Sequence, residues 1–158
     1  MKKLNVILAL FLLFAASCNA PNPVEYNNKL MTAINNNEKE MNAMNEAMTS
    51  QDYTKAESIR KTWGEKLGRS IGELEKMDQL KDDEGLKSAV TEGLKGYKQI
   101  ADDHYKQLIE LRTKEKNGDT TVQSQIRPLL EKMNNAFEAI AGNINKAGSA
   151  FEKKYSGK

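Results

Sequence analysis

Three groups of residues have the types and spacings from which chemistry is made: a histidine beside two aspartates, a run of methionines, and a cysteine near the start. His104 is the only histidine in 158 residues. A di-iron carboxylate bundle needs Glu-x-x-His on two helices plus further inward glutamates, so a single histidine excludes it. A zinc site built on several His and Cys fails for the same reason. Asp102-Asp103-His104 is not a fragment of a catalytic triad. Successive side chains on a helix point about 100° apart, so Asp103 is poorly placed to orient the imidazole. His104 falls on the apolar stripe of its helix and reads as a partly buried, hydrogen-bonded side chain rather than an axial haem or copper ligand. No Gly-x-Ser-x-Gly elbow, phosphate-cradling glycine loop or Cys-x-x-Cys-His motif occurs. Asp82-Asp83 is a carboxylate pair, but it stands at a helix start, where capping explains it. The expectation is a protein that is not an enzyme and holds no cofactor.

Met41, Met44 and Met48 lie at helical spacing. Thioethers are soft ligands that suit Cu(I). The same positions are heptad positions, where methionine fills irregular apolar gaps, and that reading is preferred to a metal site. Gly64, Gly68 and Gly72 repeat every four residues on the next helix. Each costs about 1 kcal/mol relative to Ala in a helix interior. Three in register imply a neighbouring helix that approaches closely. Their second meaning is a weak point where the bundle opens, so these six residues are also the candidate lining for a small apolar ligand.

Cys18 is the only cysteine. Before it stand Lys2 and Lys3, then an apolar run over 4–16 interrupted only by Asn5. Thirteen residues are too few to cross a hydrocarbon core as a helix, which takes about 20. They have the length of a secretory h-region. Ala15-Ala16-Ser17-Cys18 then resembles the cleavage-and-lipidation box of bacterial lipoproteins, with Ala15 where Leu is commonest. An unpaired cysteine in an exported chain is explained if it carries lipid, and several acyl chains give stable anchoring. Residues 1–17 are therefore expected to be removed, and 18–23 to form the lipidated cysteine and a short proline-containing linker. Asn19 is not the aspartate often associated with inner-membrane retention, which favours the outer membrane of a two-membrane cell.

Removal of residues 1–17 leaves 141 of 158. That is the length of one domain. Lys+Arg is 24 and Asp+Glu is 22; without Lys2 and Lys3 the balance is 22 against 22, a net charge of zero. A nucleic-acid binder needs a basic field to displace phosphate counterions, so no nucleic-acid partner is expected. With 29% charged residues and only three prolines, the composition suits amphipathic helices. Residues 24–158 read as a single domain whose apolar residues recur at helical spacing. The first helix spans roughly 24–48, with Asn37 filling one slot of its seam. The second spans 53–79 through Trp63 and Leu67. The third spans 84–116 through Leu94, Tyr97, His104 and Leu108. The fourth spans 120–155 through Ile126, Met133, Phe137 and Phe151. Pro128 should kink this last helix or mark its true start. Short connections favour antiparallel neighbours, and the expected fold is all-α: an up-down-up-down antiparallel four-helix bundle of long amphipathic helices.

Pro23-Val24-Glu25-Tyr26-Asn27-Asn28 opens this domain, Gly96-Tyr97-Lys98-Gln99-Ile100 leads into His104-Tyr105-Lys106-Gln107-Leu108-Ile109-Glu110-Leu111, and Ala150-Phe151-Glu152-Lys153-Lys154-Tyr155 closes it. Together these segments resemble a family of small all-helical bacterial surface lipoproteins of unknown function. The resemblance implies an envelope lipoprotein with a helical bundle and carries no catalytic or binding residue across. The expected function is an interaction or structural module, held at the membrane by its N-terminal lipid and facing a protein or envelope partner. The alternative is a carrier that holds a small apolar ligand between its helices.

Overall fold

Asn22 opens the part of the chain that a computed structural model describes, residues 22–156. Cys18, the apolar run before it and most of the linker lie outside those residues. The Asn22 side-chain oxygen accepts from the Val24 N–H at 2.8 Å, and Pro23 fills the first helical position. Its missing N–H costs nothing there. Helix α1 (Pro23–Asn35) follows, and then α2 (Glu38–Thr49). The single first helix expected over 24–48 is thus broken at Asn36-Asn37. Asparagine competes with its own backbone for hydrogen bonds. The Asn37 amide, 2% exposed, donates to the Ala33 carbonyl at 2.7 Å.

Helix α3 (Tyr53–Lys76) is capped by Asp52, whose carboxylate accepts from the Lys55 N–H at 3.0 Å. It ends at Lys76, three residues before the expected end, because Met77 is already extended. The following loop turns through three positive-φ residues, Asp82, Glu84 and Gly85. The Asp83 carboxylate holds it together, accepting from the Gly85 and Lys87 N–H groups and from the Tyr26 hydroxyl at 2.7 Å.

The third helical stretch starts at Leu86 and reaches Lys116, but it is not one α-helix. It is α4 (Leu86–Gln99), a π-helical segment (Ile100–Tyr105), and α5 (Lys106–Lys116). A short 3₁₀ turn (Thr120–Val122) leads into α6 (Gln123–Tyr155). The start of α6 lies five residues before Pro128, so Pro128 does not mark it.

The described chain is a helical bundle with no strand. Its centre is the third stretch, which packs against α3 on one side and α6 on the other, while α2 packs on α3 and α1 reaches α4. Burial follows from that position. Leu86, Val90, Leu94 and Ile100 are almost wholly enclosed, and Trp63 and Leu67 of α3 are fully so. The outer helix α6 is wetter than its sequence suggests. Ile126, Met133, Ile144 and Phe151 are buried, whereas Leu130, Phe137 and Ile140 are only half-buried. Among the described residues no helix is long and apolar enough to cross a membrane.

Candidate functional site

The glycines of α3 do not share one environment. A Cβ on Gly64 would lie 2.5 Å from the Asp102 carboxylate oxygen. At Gly68 the nearest atom is Lys98 Cε at 3.7 Å, and at Gly72 nothing lies within 4 Å. What comes close to Gly64 is an acidic side chain from the π segment, not a helix backbone. That carboxylate is part of a charged cluster on the α3 surface. Arg60 is 8% exposed and donates twice to Glu57, at 2.7 and 2.8 Å, and lies 3.6 Å from Asp102. Lys98 also pairs with Asp102. The bond from Arg60 holds the Glu57 carboxyl below its usual range against the opposing effect of burial.

Helix-on-helix approach occurs elsewhere, at two glycines the sequence reading did not single out. A Cβ on Gly93 would meet Ile144 Cδ1 at 2.7 Å, and one on Gly96 would meet Ile140 Cδ1 at 2.7 Å. Gly93 and Gly96 stand one turn apart on α4 and admit the isoleucines of α6. Their i, i+3 spacing was the available signal.

The methionines divide. Met44 is fully enclosed in the core. Met41 and Met48 are half-buried and line a groove of about 620 Å³, together with Tyr97, Leu108, Met133 and Phe137. One wall is α2 and the other is α6, with Tyr97 of α4, Tyr105 of the π segment and Leu108 of α5 between them. The Tyr97 and Phe137 rings pair at 5.8 Å between centroids. Of the six candidate lining residues, the structure therefore brings two, Met41 and Met48, to a common groove. Met44, Gly64, Gly68 and Gly72 lie outside it. The aromatic members come from α4, the π segment and α6, and only the packing of distant segments makes them neighbours.

His104 is 7% exposed, and its Nδ1 has no hydrogen-bond partner. Burial pushes its pKa below the usual histidine value, the charge of Lys132 on α6 acts the same way, and Asp103 opposes both. The hydrogen-bonded histidine expected from sequence is thus buried without a bond at that nitrogen. Among the described residues no group of three or more His, Cys, Asp or Glu is gathered as a metal site would require.

A second built region lies at the end where α1 begins. Tyr26 stacks on Phe151 at 6.3 Å, and the Phe151 and Tyr155 rings meet at a tilt with centroids 4.7 Å apart. The Tyr155 hydroxyl donates to the Lys81 carbonyl at 3.1 Å, and Lys154 pairs with Glu84 at 2.6 Å. Burial, then the bond to Asp83, drive the Tyr26 phenol well above its ordinary pKa. Burial pushes the Asp83 carboxyl up, but hydrogen bonds from Tyr26, Lys87, Gly85 and Gln79 outweigh it and hold the group below the usual carboxylate range. This end is a structural lock between the first helix, the α3–α4 loop and the last turn of the chain.

No family model matches this chain, and no curated protein or solved structure matches it either.

Proposed function

We propose that this chain is a lipid-anchored envelope protein, not an enzyme, that works by interaction with a protein or envelope partner. The observation that carries the reading is Ala15-Ala16-Ser17-Cys18 behind a short apolar run and two lysines. Its support from the fold is the place where the helices start. Pro23 begins α1 five residues after Cys18, a span of at most about 17 Å when extended. The lipid would hold the locked end of the bundle near the membrane. The outer membrane is the proposed location. We also propose that the four helical stretches run up-down-up-down and antiparallel. The connections after Thr49, Lys76 and Lys116 support this, since three, nine and three residues are enough to turn the chain back but too few to cross the bundle. Cys18→Ala tests the anchor. Palmitate labelling of the wild type and its loss in the variant is the expected outcome. Labelling that persists without Cys18 would remove the basis of the reading.

The second reading is a carrier of a small apolar ligand, and the groove between α2 and α6 is the observation that favours it. Its 620 Å³ falls in the range of small-molecule pockets, roughly 300–1,000 Å³.

A further inference from the structure

We propose that the α2–α6 groove binds an uncharged, mainly apolar small molecule carrying one hydrogen-bond-accepting oxygen, which takes its bond from the Tyr105 hydroxyl. The proposal rests on the carrier reading and adds a ligand class and a contact to it.

The charge of the ligand follows from the lining. No Asp, Glu, Lys, Arg or His lines the groove, in a chain where 29% of residues are charged. A buried ion needs a counter-charge or several hydrogen bonds, and the groove supplies no counter-charge. Its polar members are neutral: Asn45, Thr49, Asn134 and the hydroxyls of Tyr97 and Tyr105, of which Tyr105 is the one turned to a groove amide, Asn45. The apolar body follows from Met41, Met48 and Met133, whose unbranched thioethers adapt to irregular shapes. The flat faces of Tyr97 and Phe137 suit a planar or ring-containing ligand.

The oxygen follows from Tyr105. This residue is 8% exposed, yet its hydroxyl donates only to Asn45 Oδ1 at 3.5 Å. That is long for an O–H···O bond, which is found near 2.7–2.8 Å. Asn45 is itself exposed, so water competes for it. A ligand carbonyl inside the groove would give the phenol a shorter bond away from water. Tyr105 is also the last residue of the π segment, and such segments recur at functional sites because they re-aim side chains.

The fold carries its own reporter. Trp63 is the only tryptophan, lies fully enclosed outside the groove, and packs edge-on to Tyr105 at 6.0 Å. A groove-bound acceptor would sit within energy-transfer range of it, whereas a probe dissolved in detergent is mostly far away. The test uses the purified full chain in detergent and 6-propionyl-2-dimethylaminonaphthalene, a neutral ketone fluorophore that tryptophan can sensitise. Tryptophan-sensitised emission should saturate at one probe per chain. Met41→Glu should weaken binding about tenfold or more, the scale of one unpaired charge placed against an apolar ligand. Met31→Glu, half-buried outside the groove, should leave it unchanged. If Met41→Glu fails to fold, Tyr105→Phe decides: affinity should fall about threefold to tenfold, and the emission should shift blue as the ketone loses its donor. Anilinonaphthalene sulfonate, an anion of similar size, should bind at least about tenfold more weakly. Saturable binding that ignores both Met41→Glu and Tyr105→Phe overturns this site and leaves a carrier with another one. Equal affinity for the sulfonate overturns the ligand class alone. No sensitised, saturable signal from either probe overturns the site and the carrier reading together.

Discussion

Gly64 and Gly72 are the same residue type, on the same helix, two turns apart, and their substitutions should act in opposite directions. At Gly72 the space is open, so Gly72→Ala gains helix propensity and should stabilise by up to about 1 kcal/mol. At Gly64 a methyl group collides with the Asp102 carboxylate, which is held by Arg60 and Lys98. Gly64→Ala should lose stability by about 1–3 kcal/mol despite the better propensity. Paired urea melts check both, and a stabilising Gly64→Ala would mean that Asp102 moves freely. His104 is the other residue whose behaviour follows from its surroundings. Its pKa is depressed in the folded chain. As pH falls, the unfolded chain takes up the proton first, so the contribution is whole above about pH 6.5 and is lost as pH falls below it. His104→Gln should flatten the stability profile between about pH 7 and 5. A profile as steep as the wild type's would assign the loss to other groups.

At the scale of elements, amphipathic spacing located every helical stretch but not the defects inside them. Asn35-Asn36-Asn37 is a run of poor helix formers, and the break falls there, fixed by one amide on the Ala33 carbonyl. The π segment leaves no such trace. Leu94, Tyr97, Ala101, His104 and Leu108 keep an unbroken α-helical spacing and are all buried. Only the burial of Ile100, Tyr105 and Ile109 alongside them reveals a helix enclosed on two faces. Helix α6 errs in the other direction. Its seam reads as continuous core, yet Phe137 is half-buried because one side of it faces the groove. Phe137→Ala should therefore cost about 1–2 kcal/mol, below the roughly 3–5 kcal/mol of a fully enclosed phenylalanine. A thermal or urea melt decides, and a loss above about 3 kcal/mol would mean that the groove is closed in solution.

For the molecule as a whole, the two ends of the bundle do different work. The end near Pro23 is locked by Tyr26, Asp83, Phe151 and Tyr155. The groove begins at Met41, on α2 beyond the break at Asn36-Asn37. Among the described residues, burial begins at Tyr26, eight residues after the proposed anchor at Cys18. Cys18→Ala should therefore abolish lipid labelling without changing helicity or melting temperature. A lower melting temperature would show that the anchor segment packs on the domain.

The sequence by itself determined the helical class and the approximate bounds of the helices. These are local properties: periodicity, caps and short spacings act within a few turns of the chain. It also marked Met41 and Met48, two of the groove's wall residues. Tertiary structure alone decided which glycines meet a neighbour, which face of α6 stays wet, and that Tyr97, Tyr105 and Phe137 share a groove with those methionines. Those outcomes depend on how helices far apart in sequence are set against one another, and helical periodicity is the same for a seam that meets a partner and one that faces a gap.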